Sequence, residues 1–252
     1  MNNYFKYLLI ICLFCFSVYY TKRINELSLS NNEIMVSINE YASIHDYKCN
    51  EGYINEDGVV LGHSGLFVDK NKSLSYMKGI GFKEELVQYK KDECILNLKD
   101  NYDKYIISGN KNIKSISIVI NVIDFKYIDE MVSVFEKNLV PYELLVSKDN
   151  ILEEFCLFKG SASEIKDIKN KNVMCTNMES DILSECSSYK INSIKVMNHV
   201  RENLIFNIKN TLENGNIYFI DENYNNSKEL SLCLKYIKSR GFDIVKINKL
   251  LE

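Results

Sequence analysis

The second half of the chain alternates two periodicities. Ser115 to Ile123 (SISIVINVI) is a near-continuous β-branched run, the pattern of a strand buried on both faces. Tyr127 to Leu139 then places Ile128, Met131, Val132 and Phe135 on one helical face. Val140-Pro141-Tyr142 turns the chain into a further strand, Glu143 to Val146, completing a strand–helix–strand unit. The alternation continues with strand Val173 to Thr176, helix Ser180 to Tyr189, strand Ser193 to Val196 and helix Arg201 to Glu213. Strand Ile217 to Ile220, helix Ser227 to Arg240, strand Asp243 to Lys246 and a last turn to Leu251 close it. Asn214-Gly215 and Arg240-Gly241 supply the glycine on which helices end, and Ser227 with Glu229 and Leu230 behind it opens one. Such repetition predicts a parallel sheet or barrel flanked by helices.

Ahead of this, from about Ile34 to Asn110, the apolar runs are short and of β type, and seven of the ten glycines lie here. Gly52-Tyr53-Ile54, Glu56-Asp57-Gly58 and Val59-Val60-Leu61 read as a strand, a tight turn and a second strand. Gly62 and Gly65 punctuate the chain before Leu66-Phe67-Val68. A short helix around Leu74 to Lys78 and strands at Leu86 to Tyr89 and Cys94 to Leu98 complete a small mixed α/β collar.

At the start, Leu8 to Tyr20 (LLIICLFCFSVYY) is apolar except for Ser17, with Lys6 before it and Lys22-Arg23 after it. Counted from Tyr4 to Thr21, it approaches the roughly 17–20 residues that cross a bilayer. No small-residue cleavage site follows, so it reads as an uncleaved anchor, although balanced flanking charge leaves the orientation open. The division expected is a transmembrane anchor over 1–22, an extracytoplasmic collar over 23–110 and a β/α domain over 111–252.

Composition narrows the function. The 252 residues carry 31 Lys and Arg against 34 Asp and Glu, a net charge of −3, so no broad basic field exists for nucleic acid. Cys12 and Cys15 fall in the apolar run; the other six, Cys49, Cys94, Cys156, Cys175, Cys186 and Cys233, include no C-x-x-C pair and no histidine at zinc spacing. They read as scattered buried thiols, with fifteen connectivities open if all six paired outside the cytoplasm. His45-Asp46 and His63-Ser64 invite a hydrolase triad, but no G-x-S-x-G turn supports one and they read as polar loop residues. Gly79-Ile80-Gly81 lacks the third glycine of a dinucleotide loop. Tyr41, Tyr47, Tyr53, Tyr76 and Tyr89 could stack on sugars and read more simply as strand packing. Asp221-Glu222 follows Ile220 at the strand edge where open α/β folds hold ligands, although a solvated loop is the plainer reading.

Ser115 to Val146 and Leu212 to Leu251 together resemble the NodB-homology polysaccharide deacetylases. The closing stretch, LENGNIYFIDEN and then SKELSLCLKYIKSRGFDIVKINKLLE, is similar to that family's glycine, strand, long helix, Lys-x-Gly-aromatic, strand and terminal helix. Val140-Pro141-Tyr142-Glu143-Leu144-Leu145-Val146 stands where the family has its aliphatic-proline strand. Residues 50–110, with Gly65-Leu66, Lys72 to Lys78 and Tyr102 to Gly109, resemble the segment preceding the domain in membrane-anchored members.

The resemblance implies a truncated, deformed (β/α) barrel. In the family, an aspartate pair after the first strand supplies a general base and one metal ligand, and a His-x-x-x-His motif supplies two more. Here the strand ends Asn121-Val122-Ile123-Asp124-Phe125, leaving Asp124 as a lone remnant. Of the three histidines, His45 and His63 lie in the collar and His199 lies far beyond the motif's place after the second strand. The interval from Val146 to Val173 suggests that the histidine-bearing strand and helix were lost outright. Cys175-Thr176-Asn177-Met178 and Phe219-Ile220 replace two later motifs. The expectation is a pseudoenzyme with no metal and no cofactor, anchored in the cell membrane through residues 4–21. Its expected partners are a cell-wall glycan and an active deacetylase paralogue; the alternative is an active carbohydrate deacetylase that uses Asp124.

Overall fold

A computed structural model describes residues 7, 10–21, 32–151 and 155–251. The elements begin with a helix over 10–21 (α1), α2 (Glu33–His45), β1 (Tyr53–Ile54), β2 (Val59–Val60), β3 (Gly65–Val68), α3 (Lys70–Met77), β4 (Tyr89–Asp92) and β5 (Tyr105–Ser108). They continue with β6 (Ser115–Asn121), α4 (Ile128–Lys137), β7 (Glu143–Val146), β8 (Cys156–Phe158), α5 (Ile165–Ile168), β9 (Val173–Thr176), α6 (Leu183–Ser188) and β10 (Ser193–Ile194). The last are β11 (Asn198–Val200), α7 (Leu204–Thr211), β12 (Ile217–Asp221), α8 (Tyr224–Ser239), β13 (Asp243–Ile244) and α9 (Ile247–Leu250).

Two compact units result, Met1–Lys48 with Gly65–Asp92 and Cys49–Ser64 with Glu93–Glu252. In the smaller unit β3 and β4 form an antiparallel pair, and Ile38, Ala42, Val68, Met77 and Val87 make its core. A helix, α2, opens the region read from sequence as β-rich. Met35, Ile38 and Ala42 fall on one buried face at helical spacing, and the Asn32 side chain accepts the Ile34 N–H at its start. The strand expected at Leu86 to Tyr89 begins at Tyr89 after a 3₁₀ turn over Glu84–Leu86, and none forms at Cys94 to Leu98.

Among the described residues no helix is long and apolar enough to cross a membrane. The span expected over 4–21 includes residues 4–6, 8 and 9, which lie outside the described residues. Its described part, α1, leaves Ile10, Ile11, Leu13, Phe14, Phe16, Val18, Tyr19 and Tyr20 exposed.

The larger unit is one sheet in the order β1-β2-β5-β10-β9-β8-β7-β6-β12-β11, with β13 also paired to β6. Every pairing is parallel except the β1–β2 hairpin, so this is the expected mixed sheet of a truncated (β/α) barrel. Residues 49–64 and 93–110 contribute β1, β2 and β5 to it. In the hairpin turn the Asn55 side chain accepts from the N–H groups of Asp57 and Gly58, and Gly58 takes φ 148°, open to glycine alone at low cost. All seven residues of β6 are buried because β12 lies on one side and β7 on the other.

Two findings revise the sequence reading. The interval from Val146 to Val173, read as having lost a strand and a helix, holds β8, parallel to both β7 and β9, with α5 after it. The cysteines are not all separate thiols: Cys49 bonds Cys94, and Cys175 of β9 bonds Cys186 of α6. The Cys175–Cys186 bridge arises because packing brings a helix onto its own preceding strand, which linear spacing does not reveal.

Candidate functional site

The period of two along each strand decides how the inner face of the sheet ends. Ile116, Ile118 and Ile120 of β6, Tyr218 and Ile220 of β12, and Cys156 and Phe158 of β8 pack with the helices. Val119, Ile217, Phe219 and Leu157 form the opposite, inner core with Ile247, Leu250 and Leu251. One further step of the alternation past Val119, Phe219 and Leu157 reaches Asn121, Asp221 and Lys159, so the apolar interior is capped by a polar layer at the carboxyl ends of the strands.

These side chains form a continuous row. The Lys159 ammonium donates to Asn121 Oδ1 at 2.7 Å and to the Val122 carbonyl at 2.5 Å. The Asn121 amide donates to Asp221 Oδ1 at 2.7 Å, and the same oxygen lies 2.6 Å from His199 Nε2 of β11. Burial pulls the Lys159 ammonium below the usual lysine range, against the opposing pull of Glu179, Asp221 and Glu222.

The neighbouring Glu222, 3% exposed, organises the loop after β6. Its Oε2 accepts the N–H groups of Ile123, Asp124 and Phe125, and its Oε1 accepts that of Tyr127. A buried carboxylate thus meets four convergent backbone donors at the entry to α4. The capture holds Phe125 at φ 62°, an uncommon conformation for a residue with a side chain. Around the row, Ile123, Phe125 and Tyr224 are exposed, and the rings of Tyr127 and Tyr224 meet edge to face at 6.0 Å.

The family's divalent ion does not fit this donor set. Lys159 is itself a cation with no lone pair to offer, Asn121 is a neutral amide, and the one carboxylate in the row is engaged on Oδ1 by two neighbours. Among the described residues, the group of three metal-ligating side chains with converging atoms is Cys49, Glu51 and Cys94, none of which belongs to this row.

Asp124 is exposed, and its side chain accepts the Lys126 N–H at 3.0 Å while its backbone N–H serves Glu222. His45 stacks on Tyr41, with ring centroids 3.8 Å apart, and Asp46 accepts the Val68 N–H. His63 pairs through its backbone with Asn50 in the other unit, so the two histidines considered for a triad belong to separate units. His199 joins a carboxylate, that of Asp221. Its strand was not anticipated, and neither was Lys159 as a site residue; Asp221-Glu222 at the strand edge was the sequence signal that did point here.

The sheet order and the polar layer at its carboxyl end belong to a NodB-type polysaccharide deacetylase fold. No family model matches the chain, and no curated protein matches it. Among solved structures, BA3943, a CE4 family pseudoenzyme from Bacillus anthracis, superposes with a TM-score of 0.61 at 16% identity, over 88% of this chain and 96% of that one. A mutant of BA3943 with restored enzymatic activity gives 0.62 at 16% identity, over 88% and 98%. Another BA3943 mutant gives 0.60 at 15% identity, again over 88% and 98%. Likeness at this level of identity establishes the fold, and function must be argued from the site.

Proposed function

We infer that the chain is a membrane-tethered, extracytoplasmic deacetylase-fold module that binds a cell-envelope glycan without hydrolysing it. The observation that carries this reading is Lys159. A tethered ammonium sits among the groups at the sheet's carboxyl end, hydrogen-bonded to Asn121 and the Val122 carbonyl. Among the described residues, no group of converging carboxylates and histidines stands here to hold an ion that would polarise an acetyl carbonyl. The exposed Phe125 and Tyr224 beside the row offer apolar faces with polar groups between them, the surface on which a sugar ring can stack. Two disulfides support an oxidising compartment, and the exposed apolar face of α1 supports a bilayer tether. BA3943 being a pseudoenzyme of this fold is consistent with the same loss here.

The test uses the full chain in detergent. It combines deacetylase assays on acetylated chito-oligosaccharides and acetylated xylan, with zinc or cobalt added, with retention of the protein on the same glycans. Retention without acetate release supports the reading. Metal-dependent acetate release that disappears in Asp124→Ala would replace it with an active carbohydrate deacetylase.

A further inference from the structure

Cys49, Glu51 and Cys94 place their sulfur and carboxylate oxygen atoms within 4.8 Å of one another. The Glu51 carboxylate is held in place, since both of its oxygens accept the Ile95 N–H, at 3.1 and 3.2 Å, one residue beyond Cys94. Asn50 O and His63 O lie 3.6 and 3.3 Å from Cys94 Sγ. Oxidised, the two sulfurs form a disulfide across 45 residues of sequence. Reduced, they become two thiols beside a fixed carboxylate, with carbonyl oxygens close to one of them. Two thiolates and a carboxylate concentrate negative charge that a soft divalent cation neutralises, and the two backbone carbonyls oppose a bare thiolate further.

We propose that Cys49, Glu51 and Cys94 form a redox-gated site for a zinc-like divalent ion, closed by a disulfide when oxidised and by the metal when reduced. Opening it consumes one dithiol: the S–S bond breaks, two electrons and two protons pass to the cysteines, and the dithiol leaves as its cyclic disulfide. Metal entry then releases the two thiol protons as two metal–sulfur bonds form. The sulfurs must separate to about 3.7 Å to sit on one tetrahedral zinc, from Zn–S bonds of about 2.3 Å. A Cα–Cα distance of 5.4 Å accommodates that by side-chain rotation. Either closure ties the same two points of the chain. Selectivity follows from access: Cys49 is partly exposed, whereas Cys175 and Cys186 of the other bridge are both fully buried.

The experiment takes the full chain with Cys12→Ser and Cys15→Ser, which removes the exposed thiols of α1 as competing ligands. It is reduced with a dithiol, freed of reductant without oxygen, and titrated with Co²⁺ and then Zn²⁺. The expected result is one ion per chain with a thiolate-to-cobalt charge-transfer band. Reduction should lower the melting temperature and Zn²⁺ should raise it again, while the oxidised protein takes up nothing. Glu51→Gln should weaken binding at least tenfold and Cys49→Ser should abolish the band. The oxidised and reduced states of one protein serve as the control should a variant fold poorly. Absence of metal uptake by the reduced protein, or uptake unchanged in Cys49→Ser, would overturn the proposal.

Discussion

Replacing Lys159 by methionine keeps the length of the side chain and removes its charge and donors. Two acceptors then lose their partner: Asn121 Oδ1 and the Val122 carbonyl, in residues 6% and 4% exposed. A buried acceptor left unsatisfied costs about 1–3 kcal/mol, and relief of the lysine's own desolvation returns part of the sum. Since Lys159 is only half-buried, water can replace some of what it donated. The expected loss is about 2 kcal/mol, a fall in melting temperature of roughly 4–8 °C for a chain of this size. Chemical unfolding and calorimetry of Lys159→Met beside wild type measure it. A second pair, Asn121→Leu and Asn121→Leu/Lys159→Met, completes a cycle. With the amide acceptor gone, losing the lysine should hurt less, giving a coupling of about 1 kcal/mol. A melting temperature within about 1 °C of wild type, or strict additivity in the cycle, would refute the view that Lys159 organises the row.

Three further outcomes follow from the same contacts. Glu222→Gln puts an amide N–H₂ where a carboxylate now accepts four backbone N–H groups, so the amides of Ile123, Asp124, Phe125 and Tyr127 should exchange hydrogen at least tenfold faster; unchanged protection would dismiss the carboxylate as the loop's anchor. Burial, and then the hydrogen bond to Asp181, push the Tyr105 hydroxyl up from 10.0 to about 12. The folded state therefore holds that proton more tightly than the unfolded state, so stability present below pH 10 is lost as pH rises toward 12, and Tyr105→Phe should flatten this part of the alkaline unfolding curve. A thiol reagent should titrate two groups quickly in the native protein (Cys12 and Cys15), four in denaturant as Cys156 and Cys233 open, and eight after reduction. Six in denaturant without reductant would remove one of the bridges.

The β/α core was legible because its strands are buried on both faces and its helices carry one apolar stripe, two patterns that do not depend on the rest of the chain. Ser115–Asn121 and Tyr224–Ser239 are where expected to within a few residues. By contrast, β8 is a three-residue Cys-Leu-Phe strand, too short to show a period, and it is fixed by its pairing with β7 and β9. The α2 helix was hidden because Asn32 to His45 mixes apolar residues with serine, asparagine and glutamate, and its weak stripe is completed only by packing on β3 and α3. In the site, Asp221 could be noticed as an acid at a strand end. Its partners could not, because Asn121 and His199 come from positions 100 and 22 residues away, matched by sheet register. A lysine just after a strand ordinarily reads as solvated. Lys159 is drawn inward because the inner-facing parity of β8 passes through Leu157 to it.

The engagement of the site's donors separates binding from hydrolysis on physical grounds. Hydrolysis of an acetyl group needs groups that stabilise the oxyanion as charge develops, aimed and available before the reaction. Two sets of donors at this end of the sheet have the right character, the Lys159 ammonium and the convergent N–H groups of the loop after β6. Two of the three ammonium hydrogens are directed at Asn121 and the Val122 carbonyl, and the four loop N–H groups are taken by Glu222. Asp221, the carboxylate within the row, is held between the Asn121 amide and His199. Freeing any one of these strands its partner in a buried setting, so a single substitution exchanges a latent catalytic group for a loss of stability. Hydrolysis that used these groups would therefore require coordinated change at Lys159, Asn121 and the Asp221–His199 pair. On the proposed reading the exposed rings of Phe125 and Tyr224 hold the sugar, and their side chains do not draw on the donors already engaged in the row.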